Sequence, residues 1–372
     1  MDAALHALLK DALHRAICSA AAISVGDAGV EVCRIVLGHT RSHPGPGDPI
    51  GGDAFFDLAS LTKPMSTAAI AMALVSQGRL DLDAPVHDWL PEARAAGATV
   101  GHLLGHAAGY PAHATFYRRI WGGDLDGCDT ARAALVHMAA THLVEAPPGA
   151  RAVYSDLGYI TLGALLERAG GAPLDELFAH LVAGPLRLHG ARFVDLAVPA
   201  KARPRFPAAV VATEIDARRG LVCGEVHDEN CHAGGGVAGH AGLFATISDV
   251  ARFADAMLDL ASGYDREPLS SGVAVRFLAS SAAPATSWRL GWDTPSTEPG
   301  VSHAGDLWPR AHAVGHLGFT GTSLWLDLAR RRWIGLLTNR VHPSREGPRA
   351  AAIKDLRRAV ADVAVRHLDH LG

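Results

Sequence analysis

The chain has 372 residues, 49% hydrophobic and 19% charged, which excludes a disordered polypeptide and suggests two structural lobes. Its 34 basic and 38 acidic side chains leave a net charge of −4 with no block of like charge, which argues against a nucleic-acid or anionic-membrane partner. The longest fully apolar run, Ala68 to Val75, has eight residues, whereas a bilayer crossing needs about 20.

From the N-terminus, Leu5, Leu9, Leu13 and Ile17 recur at helical spacing among Asp2, Lys10, Asp11 and Arg15. The spacing predicts an amphipathic surface helix. A secretory signal would have a basic start and an unbroken apolar stretch, so a cytoplasmic chain is expected. The five cysteines, Cys18, Cys33, Cys128, Cys223 and Cys231, are odd in number and widely spaced, as suits reduced thiols. Ala22 to Val25 and Val30 to Leu37 bracket Gly26-Asp27-Ala28-Gly29 and read as a hairpin. Arg41 to Asp53, rich in Pro and Gly, is loop. Ser60 to Gly78 reads as a helix with Pro64 in its first turn and Gly78 as its stop. Leu80 to Leu188 is mostly helical in pattern, with loops at Gly105 to Ala112 and Ala146 to Ala152 and a helix at Leu157 to Ala169. An irregular glycine-rich stretch follows Phe193, then a helix over Ser248 to Leu260. Strands are expected at Ala313 to Gly315, Ser323 to Asp327 and Trp333 to Asn339, and a closing helix at Arg349 to Leu368. This order predicts an α/β lobe (residues 1–79 and 190–372) interrupted by a mainly helical lobe (80–189).

Three short segments could carry chemistry. In Ser60-Leu61-Thr62-Lys63, two side chains three residues apart on a helix share a face. A serine hydroxyl needs a neighbouring base, and a lysine one turn away serves if burial keeps it neutral, with a tuned pKa of about 7–8. Tyr154-Ser155-Asp156 opens a helix after Pro147-Pro148-Gly149; its tyrosine could carry a proton, or simply pack beside a capping Ser or Asp. His316-Leu317-Gly318-Phe319-Thr320-Gly321 precedes an apolar strand. Its glycine would let a substrate backbone approach, and its histidine could hold a carbonyl or carboxylate; a hairpin turn with a surface histidine is the structural alternative.

In this order the S-x-x-K, Y-x-(N/D) and (K/H)-x-G elements resemble the serine β-lactamase and penicillin-binding protein superfamily, above all its class C-like branch with related esterases and peptidases. The resemblance extends to Phe56 to Lys63, Leu103 to Pro111, Tyr154 to Tyr159, His240 to Phe244, Gly315 to Thr322 and Leu336 to Arg340. It implies an antiparallel β-sheet flanked by helices, an inserted all-α lobe, and a cleft between the lobes. It also implies that Ser60 is acylated, that Lys63 and Tyr154 share acid and base work, and that the backbone N–H groups of Ser60 and Phe319 form the oxyanion hole. Asp156, His316, Gly318 and Thr320 would contact substrate, and neither a metal nor an organic cofactor is implied.

Two residues depart from the family pattern. Asp156, where an asparagine is usual, accepts but cannot donate hydrogen bonds when ionised, and it favours the charged form of Lys63. His316 replaces the usual lysine and is neutral at pH 7 unless perturbed. Both weigh against efficient β-lactam hydrolysis. The leading expectation is a serine hydrolase acting on carboxylic esters or small amides. The alternatives are a D-alanyl-D-alanine carboxypeptidase or β-lactamase, and a catalytically silent binding protein that keeps the cleft.

Other patterns are weaker. Gly234 to Gly239 fits G-x-G-x-x-G but follows no strand, and reads as a glycine loop lining the cleft. Cys223, Cys231, His232 and His240 lack the spacing of a zinc site. His227-Asp228-Glu229-Asn230 is expected to border the cleft. Gly105 to Gly109 has the frame of a hydrolase elbow without its serine.

Overall fold

The computed structural model describes residues 1–279 and 286–370. Helix α1 (Asp2–His14) leads into strands β1 (Ala20–Asp27) and β2 (Val30–Gly38). Only Ala28 and Gly29 turn the hairpin, both at positive φ (50° and 84°). This is the left-handed pair that a two-residue connection requires. After β3 (Phe56–Asp57) come α2 (Ala69–Ser76), α3 (Val100–Leu104), α4 (Phe116–Trp121), α5 (Ala131–Ala140), α6 (Asp156–Gly170) and α7 (Leu174–Phe178). The short strands β4 (Ile215–Asp216) and β5 (Gly220–Leu221), α8 (Glu229–Ala233), β6 (Phe244–Ala245), α9 (Ile247–Ala261) and α10 (Ser271–Leu278) follow. The chain closes with β7 (Ala313–Leu317), β8 (Ser323–Asp327), β9 (Arg332–Thr338) and α11 (Arg349–Leu368).

The main sheet has the order β2-β1-β9-β8-β7, with every neighbouring pair antiparallel. Both faces are buried, and side-chain alternation sorts residues between them. Ala20, Ala22, Leu324, Leu326, Trp333 and Leu337 point into a core shared with Val250 and Phe253 of α9. Ala21, Ile23, Val25, Trp325, Ile334 and Leu336 face the opposite way, onto Leu5 and Leu9 of α1 and Val360 and Ala364 of α11. The N-terminal helix is therefore not a surface appendage: Leu5 and Leu9 are fully buried and close one face of the sheet. It also ends at His14, so Ile17 is buried from beyond the helix. Among the described residues no helix is long and apolar enough to cross a membrane.

The fold is the expected mixture of antiparallel sheet and helices. The segment from 80 to 188 is more broken than its pattern suggested, with five α-helices of 5 to 15 residues joined by loops. The glycine run at 234–239 packs beneath the cleft. A Cβ on Gly239 would lie 2.1 Å from the Tyr159 carbonyl oxygen, and one on Gly163 would lie 2.9 Å from the Gly239 nitrogen. These glycines let the loop press against α6, and the cleft wall begins only at His240.

Candidate active site

The turn carrying Ser60 is fixed from below by Asp57. Its buried carboxylate accepts the Ala59 N–H at 2.8 Å and the His227 N–H at 2.6 Å. Ala59 adopts a left-handed φ of 47°. The chain then makes a tight 3₁₀ turn over Ala59–Leu61 and a wide π-type turn over Lys63–Ala68 before α2 begins. The regular helix expected from Ser60 is thus two irregular turns leading into a shorter helix. Lys63 still reaches back, with Nζ 3.1 Å from Ser60 Oγ.

Tyr154 enters from the start of α6. Ser155 caps that helix, its Oγ accepting the Gly158 N–H at 3.0 Å and donating to the Pro111 carbonyl at 2.7 Å. The cap sets Tyr154 just outside the helix and Asp156 at its first position. His106 props this turn: its Nδ1 accepts the Ser155 N–H at 3.1 Å, and its ring lies 4.8 Å from that of Tyr154. The result is a closed triangle. Tyr154 OH is 2.7 Å from Ser60 Oγ and 2.6 Å from Lys63 Nζ. Lys63 also donates to Asp156 Oδ1 at 2.8 Å and to the His240 carbonyl at 3.2 Å.

The electrostatics correct one expectation. Burial alone would push the Lys63 ammonium down, but the Asp156 carboxylate and the Tyr154 oxygen outweigh it and hold Lys63 above ordinary lysine. A lysine kept neutral near pH 7–8 is not what this setting favours. Burial would likewise raise Asp156, yet Lys63, with His113 and His240 nearby, holds it well below the usual carboxylate range. Tyr154 is raised, chiefly by burial and against the pull of Lys63. Lys63, Tyr154 and Asp156 therefore rest as ammonium, phenol and carboxylate.

The turn between β7 and β8 forms the facing wall. Thr320 Oγ1 donates to the Asp57 carbonyl at 2.8 Å and Thr322 Oγ1 to the Leu58 carbonyl at 3.0 Å, so the turn is tethered two or three residues before Ser60. Thr320, expected to contact substrate, is 1% exposed, spends its hydroxyl on this tether and is not among the residues lining the cleft. Gly318 does line the cleft, but its lack of a side chain serves packing: a Cβ there would lie 2.4 Å from the Leu58 carbonyl oxygen. Among the described residues nothing accepts the Phe319 N–H, while the N–H groups of Gly318 and Gly321 are both bonded within the turn. His316 lines the cleft, and burial, with Lys63 nearby, pushes it down to about 3. Its Nδ1 lies 2.8 Å from the Leu317 carbonyl and donates to it, so the ring is neutral with Nε2 left as an acceptor.

The cleft has a volume of about 680 Å³, and its walls come from residues 59–60, 112–113, 154 and 156, 227–229, 240–241, 316–319 and single residues between 288 and 303 and between 340 and 357. His227, Asp228 and Glu229 border it as expected; Asn230 instead turns away, binding the Tyr117 N–H and the Ala114 carbonyl. Asp228 pairs with His240 at 2.8 Å, and His227 with Glu214 at 3.0 Å. Sequence reasoning missed Asp57, His106, Trp288, Arg340 and Arg345. Of these, Asp57, His106 and Arg340 lay inside segments that carried the family resemblance, where the residue type alone announced no role.

The beta-lactamase family model matches residues 5–358. A Bacillus subtilis (strain 168) N-acetylmuramyl-L-alanine amidase is 32% identical over 311 residues, 77% of this chain and 68% of the relative. An Escherichia coli (strain K12) protein, provisionally named a D-alanyl-D-alanine carboxypeptidase, is 29% identical over 309 residues, covering 77% and 69%. Among solved structures, EstCE1, a hydrolase with promiscuous acyltransferase activity, superposes with a TM-score of 0.70 at 22% identity, covering 96% of this chain and 97% of its own.

Proposed function

Since the chain belongs to the beta-lactamase family of serine hydrolases, we propose that it forms an acyl-enzyme on Ser60, acting on carboxylic esters or small amides. One observation carries this reading: Ser60 Oγ is held at once by Tyr154 OH at 2.7 Å and by Lys63 Nζ at 3.1 Å. A serine so placed has within one hydrogen bond a cation and a phenol oxygen that becomes a proton acceptor once the pair loses a proton.

In the proposed course, the Tyr154–Lys63 pair first loses one proton. Asp156 keeps the remaining charge on Lys63, so the Tyr154 oxygen takes the Ser60 proton as Oγ attacks the substrate carbonyl. The two groups titrate as a unit rather than as separate residues. The N–H groups of Ser60 and Phe319 receive the oxyanion, which supports the reading because the Phe319 donor has no acceptor among the described residues. Tyr154 then returns the proton to the leaving group, and water, activated by the same oxygen, releases the acid. His316 presents an acceptor to the substrate, and Asp156 holds Lys63 while bordering the cleft.

Intact mass spectrometry after exposure to a fluorophosphonate and to p-nitrophenyl butyrate tests the proposal. One adduct, mapping to Ser60 and lost in Ser60→Ala, is expected. An adduct on any other serine, or undiminished ester turnover by Ser60→Ala, refutes it.

A further inference from the structure

Helix α11 sets a buried cation against the turn between β7 and β8. Arg357 is 6% exposed, and among the described residues no carboxylate pairs with it. One of its terminal nitrogens, Nη2, donates to the Gly318 carbonyl at 2.8 Å and to the Thr322 carbonyl at 2.7 Å. The other, Nη1, lies 3.5 Å from His303 Nδ1, and Nε has no acceptor among the described residues. Burial, reinforced by Arg340, pushes the guanidinium down to about 9, which leaves it a cation at neutral pH. A charge held this way is costly, yet the turn closes without it. The Thr322 carbonyl already accepts the Gly318 N–H at 2.8 Å, and the Gly318 carbonyl accepts the Gly321 N–H at 3.1 Å.

What the cation adds is a pull on one peptide. The Gly318 carbonyl and the Phe319 N–H belong to the same unit, which is trans, so the two groups point in opposite directions. Arg357 holds the oxygen, and the N–H is left without a protein acceptor among the described residues. A charge-assisted hydrogen bond to the oxygen draws electrons from the amide and makes its N–H a stronger donor. The following peptide is fixed as well, because Arg340 Nε donates to the Phe319 carbonyl at 2.8 Å. We propose that Arg357 is a positioning residue for acyl transfer: through the Gly318–Phe319 peptide it aims the Phe319 N–H and strengthens it toward the developing oxyanion. This rests on the hydrolase reading above and makes the closing helix, 39 residues from Gly318, part of what sets the strength of the oxyanion hole.

The peptide can be read directly, because Gly318-Phe319 is the one Gly-Phe pair in the chain. With glycine isotopically labelled at its carbonyl carbon and phenylalanine at its nitrogen, a single amide signal in the nuclear magnetic resonance spectrum reports both atoms. Arg357→Met keeps the length but removes the charge and the donors. In it the Gly318 carbon and the Phe319 nitrogen should both move upfield of the wild type. Arg357→Lys keeps the cation and should retain part of the wild-type shift. The kcat/KM for p-nitrophenyl butyrate, a neutral ester, should fall about fivefold to a hundredfold in Arg357→Met, the range between weakening the donor and losing it. Arg357→Lys should recover part of that loss. Unmoved signals, an unchanged kcat/KM, or a lysine variant no better than the methionine one overturns the proposal. If Arg357→Met does not fold, the neutral donor in Arg357→Gln takes its place and should still fall below Arg357→Lys in both readouts. Fluorophosphonate labelling keeps the two readings apart. If Ser60 is not labelled while the signals move as expected, the hydrolase reading falls and the polarised peptide stands. If Ser60 is labelled and the signals stay put, the role of Arg357 falls alone.

Discussion

Replacing Asp156 by asparagine tests the electrostatic heart of the site. The carboxylate lies 2.8 Å from Lys63 Nζ, with the lysine side chain fully buried and the aspartate 18% exposed. At that distance and an effective dielectric of 20, the pair attraction is about 6 kcal/mol. An asparagine carbonyl still accepts the Lys63 hydrogen bond and so retains much of this. Even a quarter of it, about 1.5 kcal/mol, is about one pH unit. The sign is the same for both members of the proton-sharing pair. Asp156 raises Lys63 by stabilising its ammonium, and it raises Tyr154 by opposing a phenolate. Removing the charge therefore makes the pair release its proton at lower pH. The assay is kcat/KM against pH with p-nitrophenyl butyrate. The wild-type profile should still be rising at pH 8, because both groups are held above their ordinary values. The acidic limb of Asp156→Asn should lie lower by about one unit or more. A limb that stays put, or moves upward, would mean that Lys63 and Tyr154 are not the groups whose deprotonation activates Ser60.

Two further outcomes follow from the same geometry. His316 is pushed down to about 3 by burial, so it carries no charge across the working range, and His316→Asn should change the rate while leaving the acidic limb where it is; a moved limb would assign that titration to His316. Gly239→Ala would place a Cβ 2.1 Å from the Tyr159 carbonyl oxygen, backbone against backbone, and should cost about 1–3 kcal/mol in chemical denaturation, whereas unchanged stability would show that the loop and α6 are not tightly packed.

The parts of the fold that were legible are those whose signal is local. Helix α11 and strand β8 match the residue spans their patterns announce, because a long helix and a short apolar run carry their own periodicity. Strand β1 begins two residues earlier than expected, at Ala20-Ala21-Ala22, which have no preference for extended structure. Pairing with β2 and β9 on either side makes them a strand. The expected helix at Ser60 failed for a similar reason. The propensity of Ser-Leu-Thr-Lys says nothing of Asp57 gripping the Ala59 N–H, and that grip keeps the nucleophile turn out of regular α-geometry. The motif survived the misjudged backbone because S-x-x-K specifies residue types, and several helical turns can bring such a pair together.

The site divides along the same line. Ser60, Lys63, Tyr154 and Asp156 converge because short motifs each fold into a turn whose side chains meet at the cleft floor, with Lys63 buried behind the other three. What decides their protonation lies between motifs. Asp156 is 93 residues from Lys63. A pairwise field at 2.8 Å reverses the effect of burial on Lys63, and no spacing rule contains that distance. The carboxylate where an amide is usual was visible in the sequence, and so was its pull on the lysine. Only the closed contacts at Lys63 show that this pull exceeds desolvation, which in the proposed mechanism moves the task of accepting the Ser60 proton from the amine to the phenol oxygen. In the proposed mechanism the serine is activated through a tyrosine beside a lysine that Asp156 holds charged, and Asp156 sets the pH at which that happens.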